Sequence, residues 1–384
     1  MLKGLFRKKE RFDNSRPNIV MILLDQFRND ARVVNPIFEE MGRRGVLFSK
    51  TITYAPYTLA SLHATFTGMY GRDNGVDAYT KSDQYKQKEC YSLPEYLKDI
   101  GYYTHGYTFS KILLPNVGFD SLQIIPEKEE KDILASHKRQ LDICYTKKKP
   151  FFCFLHYGEI HHHIVKDVIR KYSDFDTAYF GKIEYNMARY MEHAHQAAEY
   201  TAELIRTIDS HDSSGHTMII VLTDHGGGVG EKAGEKAYGV FTYDYSICIW
   251  VYFICPKLLP IGKEYNVQIR TIDILPTIMD LLEIKPSQKH KLIAGRSLLP
   301  IINGEESGDR YAFSETGGVE GPYPSPDKAN IKCIRDGRWK LIFNSSINKY
   351  ELYDLEEDPS ENHNLYLEHR EKAEELFKKM VVYL

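Results

Sequence analysis

Two hydrophobic patterns alternate along the chain. Continuous apolar runs at Ile19–Leu24, Phe151–His156 and Met218–Thr223 have the character of strands buried on both faces. Between them, apolar residues recur every three or four positions, as in helices that lay one face on a core. This spacing predicts helices over Pro36–Arg44, Leu93–Ile100 and Asp273–Leu282, and a long one carrying Met187, Tyr190, Ala194, Leu204 and Ile208 on its buried face. Shorter strands are expected at Val46–Ser49, Tyr102–Tyr107 and Ile247–Ile254. The alternation of strand and helix predicts an α/β fold with a parallel or mixed central sheet flanked by helices. Glu127–Lys149 is charged and reads as a surface helix, and Val165–Tyr185 as an irregular cover.

Beyond about Arg310 the texture changes. Ile331–Ile334, an Asp336-Gly337 turn and Trp339–Phe343 give a hairpin signal, Tyr350–Tyr353 a third short strand, and Glu368–Leu384 a closing helix. We therefore expect a basic tail (residues 1–16), a main domain (17–309) and a small antiparallel subdomain (310–384).

Composition narrows the partners. A net charge of -3 over 384 residues argues against a nucleic-acid surface. The six cysteines show no Cys-x-x-Cys spacing, and three lie in apolar runs, which points to buried free thiols. No apolar stretch is long enough to span a bilayer and no secretory leader is visible, so a cytoplasmic location is the default expectation. Leu2–Lys9 is basic and mildly amphipathic; it reads as a frayed tail, with weak peripheral membrane contact as the most it would make.

The chemistry collects at the ends of elements. Asp25-Gln26 closes the first apolar strand, and Asp224-His225 closes another. Strand ends meet at the carboxyl edge of a parallel sheet, so these residues can converge although far apart in sequence. In Ala55–Gly68, Leu59, Leu62 and Phe66 keep helical spacing and Gly68 is a natural stop. Thr58 then lies at the mouth of a helix, where free N–H groups and the positive end of the dipole favour an anionic ester. An N-cap would use the same residue type. Two carboxylates, an imidazole and a hydroxyl nevertheless make a plausible cage for one divalent ion.

These motifs resemble the sulfatase and alkaline phosphatase superfamily. Pro17–Asp25 is similar to its opening strand and metal aspartate, Ala55–Gly68 to its nucleophile helix, and Thr223–Gly226 to its second metal motif. Arg270–Thr277, Gly295–Pro300, Gly337–Lys340 and Glu351–Pro359 resemble its later signatures. The resemblance implies an alkaline-phosphatase-like fold. One departure is decisive: Thr58-Leu59-Ala60-Ser61-Leu62 stands where sulfatases carry Cys/Ser-x-Pro-x-Arg, whose first residue is oxidised to formylglycine. Threonine, a secondary alcohol, would give a ketone. The resemblance therefore implies an unmodified threonine nucleophile, as in nucleotide pyrophosphatases and phosphoethanolamine transferases.

It also implies the roles of neighbouring residues. Asp25-Gln26-Phe27-Arg28 looks like the Asp-Gln-Trp-Arg of phosphonate monoester hydrolases, which makes Gln26 a fifth ligand beside Asp25, Thr58, Asp224 and His225. The ion is then single, with Mn²⁺ or Ca²⁺ favoured and Zn²⁺ or Mg²⁺ open. His161 matches a position that donates to an ester oxygen or a leaving group, Lys236 or Lys232 the family's late lysine, and Tyr107 and Thr108 the substrate-binding tier, to which Asn74 belongs unless it is a turn asparagine. His162 and His163 are solvated histidines or members of the same tier. The expected function is metal-dependent hydrolysis of phosphodiesters or phosphonate esters through a covalent threonine intermediate. The alternatives are a sulfatase working without formylglycine, a transferase moving a phospho-substituent onto a glycan or lipid, and a binding module that keeps the fold without turnover.

Overall fold

The computed structural model describes residues 16–167, 182–235, 237–290 and 292–383. Apart from Arg16, the basic tail lies outside these residues, as do most of the expected irregular cover and Lys236. In chain order the elements are β1 Ile19–Leu24, α1 Ile37–Arg44, β2 Val46–Ile52, α2 Thr58–Thr67, α3 Leu93–Asp99 and β3 Tyr103–Thr108. They continue with β4 Ser121–Ile124, α4 Ile133–Tyr145, β5 Phe151–Tyr157, α5 Glu159–Asp167, α6 Ile183–His211 and β6 Met218–Leu222. Then follow β7 Cys248–Ile254, β8 Lys263–Tyr265, β9 Ile269–Arg270 and α7 Ile274–Leu281. The last are β10 Ala312–Thr316, β11 Ile331–Arg335, β12 Trp339–Asn344, β13 Lys349–Asp354 and α8 Arg370–Met380.

The main sheet has the order β4-β3-β5-β1-β6-β7-β2-β8, with β9 also paired to β2. Only β7 runs against its neighbours, antiparallel to both β6 and β2. The sheet is therefore mixed, for a local reason: the segment between β6 and β7 leaves and re-enters the sheet at one edge, the carboxyl edge of β6. Along β1, alternate side chains face opposite layers. Val20, Ile22 and Leu24 pack with α1, α4 and α6, whereas Ile19, Met21 and Leu23 pack with α2, α3 and α7.

The second sheet is an antiparallel meander, β10-β11-β12-β13. Its first strand, β10, has no counterpart in the pattern read from sequence, where only the later three strands stand out. Helix α2 is held between the two sheets. Leu62 and Phe66 belong to the main core, and Leu59, Ala60 and Ala64 share a cluster with Phe313, Leu341 and Leu352. All its residues are buried, so the one-faced helix expected from Leu59, Leu62 and Phe66 has become a helix without a solvent face. Two of its four hydroxyls are absorbed internally: Thr65 Oγ1 donates to Ser61 O (2.8 Å) and Thr67 Oγ1 to His63 O (2.6 Å). Every cysteine is a free thiol, and five of the six are buried.

Candidate active site

Because β3, β5, β1, β6 and β2 point the same way, Thr108, His156, Asp25, Asp224 and Thr58 arrive at one edge. Thr58 is the first residue of α2; the preceding Tyr57 is extended and supplies no side-chain cap. The first-turn N–H groups thus remain available to an anion. Thr58 Oγ1 donates to Asp25 Oδ2 (3.3 Å) and lies 3.3 Å from His225 Nε2. His225 Nε2 in turn stands 3.5 Å from Asp25 Oδ1 and 3.6 Å from Asp224 Oδ2.

The donor set fits a cation. Asp25 Oδ1, Asp224 Oδ2 and Gln26 Oε1 are all buried with no hydrogen-bond partner. His225 Nδ1 is 2.7 Å from Gly226 O, which can only accept. That fixes the hydrogen on Nδ1 of the neutral ring and turns the Nε2 lone pair toward the carboxylates. Several acceptors facing one another in a dry site are costly unless a positive charge lies between them. Ligand atoms of Asp25, Asp224 and His225 lie within 4.8 Å of one another. Burial pushes the Asp25 carboxyl up, but the hydrogen bond from His156 and the neighbouring His161 and His225 bring it well below the usual carboxylate range. Asp224 moves the other way, raised by burial and by the charge of Asp25.

Behind these candidate donors stands a residue that the apolar pattern marks only as the last position of a strand. His156 is fully buried; its Nε2 is 3.0 Å from Asp25 Oδ2 and its Nδ1 is 3.1 Å from Thr108 Oγ1. The Thr108 hydroxyl donates to Nδ1, so Nε2–H donates to Asp25 and leaves Oδ1 free for an ion. Thr108 therefore acts through His156, behind the cage. Ser61 Oγ bonds Asp224 O (2.9 Å) and ties α2 to the second strand tip.

The structure moves several expected site residues elsewhere. Tyr107 points to the opposite face of its strand, where its hydroxyl donates to Glu130 and its ring meets His137, so it does not line the site. Asn74 lies beyond the far end of α2, its amide bonded to Met69 O (3.3 Å) and Thr67 Oγ1 (3.4 Å) and its oxygen to Val76 N (2.9 Å). It is a turn asparagine. Lys232, the alternative to Lys236, donates to Ser360 O (3.0 Å), Glu361 O and Asn362 Oδ1, which removes it from the site. Arg28 braces the loop after Asp224-His225 through Gly227 O (2.8 Å), Asp30 and Glu231. His161 does reach the site, with Nδ1 3.9 Å from Asp25 Oδ1 and no hydrogen-bond partner on that atom. Its neighbours turn away, His162 toward Glu127 and His163 toward Glu159. Clefts elsewhere, such as the one lined by Arg28, Arg32, Glu39 and Asp244, contain none of the cage residues.

Comparison with known proteins places this geometry. The profile of N-sulphoglucosamine sulphohydrolase, C-terminal, matches residues 236–383. A choline-sulfatase of Rhizobium meliloti (strain 1021) is 27% identical over 188 residues, 49% of this chain but only 32% of that protein. An ulvan-active sulfatase of Formosa agariphila is 24% identical over 414 residues, covering 92% of this chain and 76% of the relative. Among solved structures, the phosphonate monoester hydrolase of Agrobacterium radiobacter superposes with a TM-score of 0.76 at 16% identity, over 96% of this chain and 95% of that one. At that identity the likeness concerns the fold alone. The Sulfatase profile itself matches residues 17–284, from β1 through α7 and thus across the strand tips and α2, and the chain belongs to the sulfatase family.

Proposed function

We propose that this protein is a metal-dependent ester hydrolase that cleaves a sulfate ester with Thr58 as nucleophile. The observation that carries the reading is the Thr58 hydroxyl, in contact with both Asp25 and His225 beside three buried, unpartnered oxygens. The order of substrates differs from the sequence expectation, which put phosphodiesters first. The relatives at sequence level are sulfatases, and likeness of fold to a phosphonate hydrolase carries no substrate with it.

Asp25, Gln26, Asp224 and His225 would hold one divalent cation, and their mainly oxygen donor set suits Mn²⁺ or Ca²⁺. Such an ion supplies Lewis acidity that lowers the pKa of the Thr58 hydroxyl and offsets charge on the ester oxygens. Thr58 Oγ1 attacks sulfur while its proton passes to Asp25 Oδ2, the acceptor it already faces. The bond to the leaving oxygen breaks, and His161, beside Asp25, is placed to protonate that oxygen. The first turn of α2 turns its N–H groups toward the anion. Water then attacks the sulfur and gives a proton to His161, the bond from sulfur to Thr58 Oγ1 breaks, Asp25 returns its proton to Thr58, and hydrogensulfate leaves.

Phosphodiester or phosphonate ester cleavage is the second reading. Thr58 in the place of an oxidisable residue favours it, because a threonine ester needs a second attack at the central atom for release. Parallel assays of an aryl sulfate, an aryl phosphodiester and a phosphonate monoester, with Mn²⁺ or chelator, test both. The sulfate ester should turn over fastest, chelator should stop it, and Thr58→Ala should lose about 10⁴-fold or more. A faster phosphodiester puts the second reading first, and stimulation by a glycan or lipid hydroxyl would mark a transferase. Full activity in Thr58→Ala would contradict the nucleophile.

A further inference from the structure

Residues 237–239 touch Gln26, His161, His225 and the approach to Thr58 while contributing no member of the cage. Ala237 is fully buried yet has a left-handed backbone, with φ at 72°. That conformation is costly for any residue with a Cβ and is retained where surrounding contacts enforce it. The sequence nearby uses glycine freely, at 226, 227, 228, 230 and 234, so an alanine here is informative. The Ala237 carbonyl accepts from Gly228 N (2.6 Å) and from Gln26 Nε2 (3.5 Å). With the Gln26 amide nitrogen drawn to that carbonyl, Oε1 is the end left without a partner. Gln26 is itself left-handed, with φ at 62°, and Gly227 leaves it room, since a Cβ there would come within 2.4 Å of Nε2.

Tyr238 follows. Its ring centroid lies 4.7 Å from that of His161 and 5.8 Å from that of His225, nearly parallel to the latter at 28°. Gly239 N donates to Pro56 O (2.9 Å), two residues before Thr58, and Gly239 O accepts from Thr316 at the end of β10. The turn is thus anchored both to the approach of α2 and to the small sheet.

We infer that Ala237 and Tyr238 are positioning residues for the cage: Ala237 O orients the Gln26 amide so that Oε1 faces the ion, and the Tyr238 ring fixes the imidazoles of His225 and His161. This rests on the reading above that the site takes a divalent cation. The test is Mn²⁺ titration calorimetry on the full chain, with thermal melts of the metal-free protein. Tyr238→Leu should weaken Mn²⁺ binding about tenfold, as loss of an outer-shell partner does, while the metal-free melting temperature stays within about 2 °C. Tyr238→Phe, which keeps the ring, should bind within about twofold of the original. Ala237→Gly, which frees the backbone, should melt no lower but bind Mn²⁺ about threefold more weakly. Unchanged Mn²⁺ affinity in both Tyr238→Leu and Ala237→Gly would overturn the inference and leave the cage standing. Absence of Mn²⁺ binding by the unaltered protein would overturn both.

Discussion

The two ends of α2 are built from the same kinds of residue and behave in opposite ways. At the C-terminal end all the polar groups named are paired. Gly68, left-handed with φ at 64°, closes the helix through its N–H to Ala64 O (2.8 Å), and its carbonyl accepts from Ala294 N and Gly295 N. Thr67 and Asn74 are likewise committed to local partners. At the N-terminal end, Thr58 has only long contacts, and beside it Asp25 Oδ1, Asp224 Oδ2 and Gln26 Oε1 have no hydrogen-bond partner. Buried polar groups are normally satisfied, so the unsatisfied end is the one shaped for something other than folding. A threonine is committed to the helix backbone at one end and held only by long contacts at the other.

Substitutions at the two ends should separate along that line. Asp25→Ala would remove a proposed ligand outright and should weaken Mn²⁺ binding by more than about 100-fold, beyond the loss of a residue that only orients a ligand; calorimetry checks it. Between the ends lies His63, 2% exposed, its Nδ1 2.7 Å from Leu59 O. Burial lowers its pKa to about 4, against a backbone hydrogen bond that raises it. Its neutral form is favoured by folding, so its contribution is full above the unfolded value near 6.5 and is lost as pH falls through about 4. That loss amounts to about 3 kcal/mol at most. Urea unfolding of His63→Gln should show a shallower decline in stability from pH 7 to 4 than the original protein does. His156→Ala should weaken Mn²⁺ binding about 10- to 100-fold, because Asp25 loses the donor that orients it. Asn74→Ala should cost about 1–2 kcal/mol of stability by leaving Val76 N and Met69 O unpaired. Its activity per folded molecule should stay within about twofold; a larger fall would break the contrast between the ends.

What was legible in the sequence follows the same logic. Asp25, Asp224 and His225 each end an apolar run, and a polar residue at a strand tip is visible without knowing its neighbours. His156 ends the run from Phe151 and carries that signal too, but a single histidine closing an apolar run is equally a strand residue until its partners are known. The resemblance pairs Tyr107 with Thr108, yet adjacent strand residues face opposite sides, so one of the pair has to point away. Asn74 and Lys232 could not be placed, because their partners are set by how a turn closes and by a contact with residues 360–362. The reversal of β7 depends on where a long loop re-enters the sheet, which no local pattern encodes. Strand β10 carries no clear pattern because Ala312–Thr316 is short and half polar, and its burial comes from packing against the main domain around Tyr54 and Ile52 as well as from the second sheet.

The central claim is that Thr58 bonds covalently to the ester's central atom. Rapid acid quench during turnover of an aryl sulfate, followed by peptide mass spectrometry, tests it directly. The account predicts a sulfuryl group on Thr58, formed with Mn²⁺ and absent with chelator. Turnover at full rate with Thr58 unmodified, or the group on another side chain, would contradict it.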